Sequence, residues 1–373
     1  MRNAVNLYCW HVSAAWLLAG LGLVASAAPR PEVVASGLER PWAVAFLPDG
    51  RFLVTERPGR LRVVEAGGKI GAPVAGVPAV AAGGQGGLLD VVADSGFARN
   101  RTVYFCFSEP AAGGLTNSTA LASARLSDDG SRLEGLHVLF SQKPKVMSRS
   151  HFGCRIVEAK DGTLFLTLGD RFSRKEDAQT LDTHHGKVVR IHKDGSVPKD
   201  NPFVGKPGAL PEIWSYGHRN GQGAALAPDG VLWMTEHGPQ GGDEINIPQA
   251  GRNYGWPVIT YGENYGGGKI GDGITAREGM AQPLHYWVPS IAPSGMAFLT
   301  SDRYGAAWKG DLFVGSLKFG YLDRIELKDG KVVAEHKLLD AAGRIRDVRQ
   351  GPDGFLYVLT DESNGQLIRL LPD

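Results

Sequence analysis

The 373-residue chain carries 40 Lys and Arg against 39 Asp and Glu, a net charge of +1 at pH 7. So close a balance argues against nucleic acid as a partner, which demands a surplus of cations. A hydrophobic share of 43% is ample for a packed core, and the 51 glycines suit tight turns and close packing between units.

Arg2 precedes the apolar run Ala14–Val24, and the small residues Ala25-Ser-Ala-Ala28 follow. Residues 1–28 read as a secretory signal, the run being short for a membrane span; an uncleaved anchor is the alternative. No later segment reaches membrane-spanning length. Export to a periplasm or the cell exterior follows, with no membrane span in the mature protein. Residues 29–373 are expected to form a single domain.

That domain repeats one phrase: alternating apolar residues, a turn of the type Pro-Asp-Gly, alternating apolar residues again, then Thr-Glu or Gly-Asp. Clear copies run Trp42 to Glu56, Arg155 to Asp170, Gly223 to Glu236 and Val348 to Asp361. Looser copies with longer turns run Gly87 to Glu109 and Ser294 to Ser316. Pro sets φ, Asp bonds its own backbone and Gly takes the positive φ, so each copy predicts a strand-turn-strand hairpin. Such a hairpin is marginal alone, and the spacing of roughly 45 to 70 residues leaves room for two more strands per unit. Six four-stranded antiparallel units repeated radially predict an all-β, six-bladed β-propeller. A β-sandwich with coincidental Asp-Gly turns is the weaker alternative.

Of the three cysteines, Cys9 lies in the signal. Cys106 and Cys154 fall on strands of neighbouring repeats, where they either form a disulfide or remain buried thiols.

Strands of a propeller are scaffold, and the loops at one mouth of its channel carry function. Polar or glycine-rich segments flank equivalent edges of the repeats, and they gather four cations, Arg219, Lys318, Arg344 and Arg346, with the amides Gln85 and Asn220. Arg344 and Arg346, two apart on an expected strand, should share a face. Convergent cations suit a polyanionic ligand with carboxylate or phosphate groups. His151, followed closely by Gly153, is the candidate general base. Gly238 and Pro239 sit in an irregular loop with Asp243 and Glu244 nearby. That set suits a hard cation such as calcium, or else plain turn and surface residues.

Seven segments occur in the order of a known family: Gly84–Asp90, His151–Arg155, Tyr216–Asn220, Glu236–Asn246, Asn253–Pro257, Pro289–Gly295 and Arg344–Asp347. Through them the chain resembles the soluble quinoprotein sugar dehydrogenases, the glucose/sorbosone dehydrogenase family, and most of all its bacterial aldose sugar dehydrogenase branch. The resemblance implies a six-bladed propeller, the cofactor pyrroloquinoline quinone (PQQ), a tricarboxylate, and Ca2+. It implies cofactor contacts from Gln85, Arg219, Asn220, Lys318, Arg344 and Arg346, and from Ser294 or a neighbour in its loop. The Gly238 and Pro239 carbonyls would hold the cofactor-linked calcium. Glu244 and the Tyr254 carbonyl would belong to a second, structural one. His151 would take the proton from the anomeric hydroxyl of an aldose, with Arg219 stabilising charge, to give a lactone and pass electrons to an external acceptor. Asp170 occupies the region used for substrate contacts. Ser150 stands where the glucose-specific branch has a carboxylate able to orient the base, and His237 where it has an amide. Monomer and homodimer both remain open. The rival readings are a calcium-dependent lactonase and an extracellular binding module without a redox cofactor.

Overall fold

The computed structural model describes residues 28–372, so the expected signal lies outside the described residues but for its last position. Six four-stranded antiparallel sheets stand around a common axis. We number them as blades 1 to 6 by their innermost strands: Pro41–Phe46, Leu88–Ala93, Gly153–Glu158, Gly221–Leu226, Pro293–Phe298 and Ile345–Gln350. Each innermost strand packs on its two neighbours around the ring. The N-terminal strand Arg30–Leu38 closes it by pairing with Gly365–Leu371 as the outer strand of blade 6. Among the described residues no helix is long and apolar enough to cross a membrane.

The repeated phrase forms the two inner strands of every blade, as the sequence predicts. Its turns are built alike. Gly50 N–H donates to the Leu47 carbonyl at 3.0 Å, and Gly230 N–H to that of Ala227 at 2.8 Å. The turn carboxylates of Asp49, Asp161, Asp229 and Asp353 each accept the N–H two residues on. These are the Asx bonds that make Asp a turn residue.

A bulge opens the innermost strand of every blade. Pairing slips between Pro41 and Ala43, Leu88 and Val91, Gly153 and Ile156, Gly221 and Gly223, Pro293 and Met296, and Ile345 and Asp347. Bulges re-aim side chains. Here the residues they hold include Trp42, Asp90, Arg155, Gln222, Ser294 and Arg346.

The repeated Thr ties one bulge to the next. Thr55 Oγ1 accepts the Ala43 N–H at 3.0 Å and donates to the Leu89 carbonyl of blade 2 at 2.5 Å. Thr167 does the same between the Arg155 N–H and the Gly221 carbonyl, each at 3.0 Å. Thr235 donates to the Ser294 carbonyl at 3.1 Å. In blade 2 the corresponding residue is Cys106, and the alternative left open by the sequence resolves as a disulfide. Cys106 is bonded to Cys154 in the bulge of blade 3, with Cα atoms 5.7 Å apart. In blade 5 the position is Gly315, and Ser294 in the bulge supplies the hydroxyl instead. It donates to Gly315 at 3.1 Å and to Ile345 of blade 6 at 2.7 Å.

The disulfide closes a sequence separation of 48 residues, so replacing both cysteines by Ser should lower the unfolding free energy by about 2–4 kcal/mol. An unchanged guanidinium midpoint in the double variant would refute a stabilising role for the bridge.

Candidate active site

At the mouth where the bulges begin, a cavity of about 340 Å3 is lined by residues from all six blades and their loops. Trp42, Leu89, Gln222 and Arg346 come from bulges. Gln85, Lys318 and Arg344 come from the loops named above, and Arg57 and His237 from the residues that follow the two Thr-Glu pairs. Four of the lining residues are cations, Arg57, Lys318, Arg344 and Arg346, and none is a carboxylate. A lactonase would need carboxylate ligands there. Arg344 and Arg346 do share this wall, but not by strand alternation. Arg344 precedes the strand, and Arg346 turns inward because it sits in the bulge.

The Gly83–Gly87 loop brings Gln85 to His151. A Cβ on Gly84 would come within 2.5 Å of the Arg149 carbonyl, so glycine is needed for this approach. Gln85 Oε1 then accepts the His151 N–H at 2.7 Å. That bond helps hold His151 at φ 51°, in the left-handed region that a residue with a side chain rarely adopts.

His151 Nδ1 lies 2.6 Å from Asp170 Oδ1. The same carboxylate accepts the Phe172 N–H at 2.8 Å and the Trp256 Nε1–H at 2.8 Å. Asp170 is 1% exposed with both oxygens engaged. The sequence expects it to meet the substrate; in this structure it backs the histidine instead. Nε2 is hydrogen-bonded to no described residue, and the side chain remains 6% exposed. Burial lowers the His151 pKa from 6.5, and the charges of Arg219 and Arg171 add to that against the opposing pull of Asp170. Burial alone would raise Asp170. The His151 bond, the Arg219 charge and the Phe172 N–H outweigh it, and the carboxyl stays below its ordinary range. The imidazole is thus neutral at pH 7, with its Nδ1 proton held by Asp170.

Arg219 is 4% exposed. Its N–H donates to Glu236 at 2.7 Å and its guanidinium to the His237 carbonyl at 3.1 Å and to Tyr265 Oη at 3.2 Å. Asn220 Oδ1 accepts the Gly153 N–H at 3.1 Å. Three buried donors of these residues lack a partner among the described residues: Arg219 Nε, Asn220 Nδ2 and Arg346 Nε. Unpaired buried donors cost about 1–3 kcal/mol each, and the cations that line the cavity suit an anionic ligand. Ser294 is the exception among the expected contacts. It is fully buried and its hydroxyl is spent on the inter-blade bonds described above, while its loop neighbour Ala292 lines the cavity.

Gly238 and Pro239 line an adjoining groove of about 760 Å3 that shares His237, Ala292 and Lys318 with the cavity. Their carbonyls, like that of Tyr254, accept no hydrogen bond from any described residue. Burial and the neighbouring Glu236 raise Glu244 to about 8. Asn246 Nδ2 bridges the two carboxylates, at 2.8 Å and 2.9 Å. Among the described residues no three His, Cys, Asp or Glu side chains gather as metal ligands. A cation here must draw on carbonyl oxygens, which suits calcium and not zinc.

The glucose/sorbosone dehydrogenase family model matches residues 38–369. Aldose sugar dehydrogenase YliI of Escherichia coli (strain K12) is 48% identical over 354 residues, covering 93% of this chain and 94% of its own. The crystal structure of the soluble aldose sugar dehydrogenase from Escherichia coli in the apo form matches with a TM-score of 0.89 at 46% identity, over 92% of this chain and 100% of that one. The PQQ-bound form of the aldose sugar dehydrogenase from Streptomyces coelicolor matches with a TM-score of 0.75 at 28% identity, over 93% and 100%.

The His151 ring should titrate below 6.5 in the apo-protein, read by NMR of ring-labelled histidine. Asp170→Asn removes the charge that favours the imidazolium, so its titration should move lower still. An upward shift in that variant would refute the pairing.

Proposed function

The chain belongs to the glucose/sorbosone dehydrogenase family, and from that premise we propose that it oxidises aldose sugars at C1 to lactones with PQQ as cofactor. The observation that carries this reading is the His151–Asp170 pair set beside a cavity whose wall offers four cations and no carboxylate. A tricarboxylate fits such a wall. Gln85, Arg219, Asn220, Lys318, Arg344 and Arg346 would hold it. The Gly238 and Pro239 carbonyls would hold a calcium ion beside it, and Glu244 with the Tyr254 carbonyl a second, structural one.

The quinone, when bound, supplies the acceptor for the hydrogen and electron pair that leave C1. The protein's own part is proton transfer and charge. His151 Nε2 takes the proton of the anomeric hydroxyl as a neutral base. Asp170 keeps the Nδ1–H tautomer and stabilises the imidazolium that forms, as the carboxylate of a catalytic triad does. Trp256 and the Phe172 N–H fix Asp170 in turn. Arg219, with its Nε unpaired, sets positive charge where negative charge develops. The sugar loses two electrons and two protons, one of them through His151. The electrons then pass to an external acceptor. The buried Cys106–Cys154 bond suits an oxidising compartment, consistent with a periplasmic or secreted enzyme.

Purified apo-protein supplied with PQQ and Ca2+, then an aldose and a redox dye, should reduce the dye; failure to take up PQQ would overturn the proposal. His151→Ala should lower kcat by roughly 10^2- to 10^4-fold while PQQ still binds. Near-normal turnover would remove the base assignment. Asp170→Asn should lower kcat on the order of 10^2- to 10^4-fold and move the acid limb of kcat/KM to lower pH, because the imidazole then stays neutral further into acid.

A further inference from the structure

The acid that ends the repeated phrase is a structural anchor in two blades and something else in a third. Glu56 of blade 1 accepts the Glu39 N–H at 2.7 Å and the Arg60 and Arg62 guanidiniums at 2.6 Å and 2.9 Å. Glu236 of blade 4 accepts His218, the Arg219 N–H and Asn246 at 3.0 Å, 2.7 Å and 2.8 Å. The equivalent residue of blade 6 is Asp361. It is just as buried, at 3% exposed, yet its Oδ1 has no hydrogen bond. Four guanidiniums surround it at long range: Arg346 at 3.4 Å, Arg57 at 3.6 Å, and Arg40 and Arg344 at 3.8 Å. One carboxylate is shared loosely among four cations, three of which line the cavity.

Arg57 is the least committed of these three. Its guanidinium makes no hydrogen bond to a described residue, its side chain is 17% exposed, and among the described residues its only ion pair is with Asp361. It faces the cavity from the loop that ends the blade 1 hairpin. By contrast, Arg344 donates to the Leu317 carbonyl at 3.0 Å and Arg346 to Gln222 at 2.8 Å.

We propose that Arg57 is a further anchoring residue for a carboxylate of the cofactor, and that Asp361 is the counter-ion from which the cavity arginines turn to the ligand. The proposal rests on the PQQ reading above. A carboxylate in the cavity gives the Arg57 fork the close, paired bonds that Asp361 at 3.6 Å does not. It also relieves the mutual repulsion of the arginines along this wall.

The test is PQQ affinity of the calcium-supplemented apo-protein, read by quenching of tryptophan fluorescence. Arg57→Gln should weaken binding by roughly 10- to 100-fold. Arg57→Lys, which keeps the charge and loses the fork, should weaken it by roughly 3- to 10-fold. Asp361→Asn should bind at least as tightly as wild type. The trimethyl ester of PQQ, which lacks the carboxylates, should bind wild type and Arg57→Gln alike. Wild-type affinity in both Arg57 variants would overturn the proposal, and so would an equal loss in Asp361→Asn, which would make the pair a structural unit. A wild-type protein that fails to bind PQQ would instead overturn the functional reading, and this inference with it.

Discussion

Arg155 lies at the propeller axis with its side chain 1% exposed and its guanidinium bonded to other blades. Nε donates to the Gln222 carbonyl of blade 4 at 2.6 Å, and Nη2 to the Arg346 carbonyl of blade 6 at 3.0 Å. Nη1 lies 3.4 Å from Asp90 of blade 2 and 2.8 Å from Asp347 of blade 6. The guanidinium also stacks 4.1 Å over the Trp42 ring of blade 1. One side chain of blade 3 therefore fixes four other blades. Asp347 extends the network by accepting the Val44 N–H at 3.0 Å and the Arg349 guanidinium at 3.1 Å. Blade 5 fits in only because residue 295 is glycine, since a Cβ there would collide with Asp347. Breaking a buried charge network of this kind costs about 3–5 kcal/mol, because the partners are left charged and unpaired. Arg155 and the residues it contacts all come from a bulge or its flank, and Trp42, Gln222 and Arg346 among them also line the cavity.

At the cavity the balance reverses. The axis pairs its cations closely with Asp90 and Asp347, whereas three cations of the cavity wall share Asp361 at 3.4 to 3.8 Å. Burial, opposed by Asp361 and reinforced by Arg155, Arg57 and Arg344, brings Arg346 down to about 10. A scaffold made rigid by one network can carry such unsatisfied groups in another, a known cost of preorganised sites. Ligand binding then returns that free energy as stability of the loaded form. The two networks touch through Arg346, whose carbonyl belongs to the axis and whose side chain belongs to the cavity.

The repeat was legible because it consists of local chemistry. Alternating apolar residues, Asx turns and a Thr at a fixed place each act over a few residues, and the six hairpins came through. The base and the loop cations were legible as residue types beside equivalent strand edges. Direction was not legible. A bulge of one or two residues changes which side chain faces the axis, so nothing local marked Trp42, Arg155 or Gln222 as turning there. Ser294 was expected as a ligand contact through the resemblance, and nothing local shows that its hydroxyl stands in for the Thr that blade 5 lacks. Asp170 was expected to meet the substrate through the resemblance alone, and nothing local shows that the Trp256 N–H, 86 residues away, holds it behind His151. Arg57 had a usable signal. Aligning the Thr-Glu pairs places it opposite His237, and both line the cavity.

The cationic wall and the histidine base make compatible demands. Burial and then the charges of Arg219 and Arg171 disfavour the imidazolium, so they keep His151 in the form able to accept a proton. Taken alone, that would make His151 a weak base, because the protonated state formed in the reaction would meet Arg219 and Arg171 without compensation. Asp170 resolves this. It is held by hydrogen bonds from His151, Phe172 and Trp256 and kept ionised, and it sets one negative charge 2.6 Å from His151 Nδ1. Close pairing raises the proton affinity of His151 selectively, while the more distant arginines act on the whole region. The sequence can therefore keep a strongly cationic pocket and a working base side by side, provided that the carboxylate behind the histidine faces it and not the substrate.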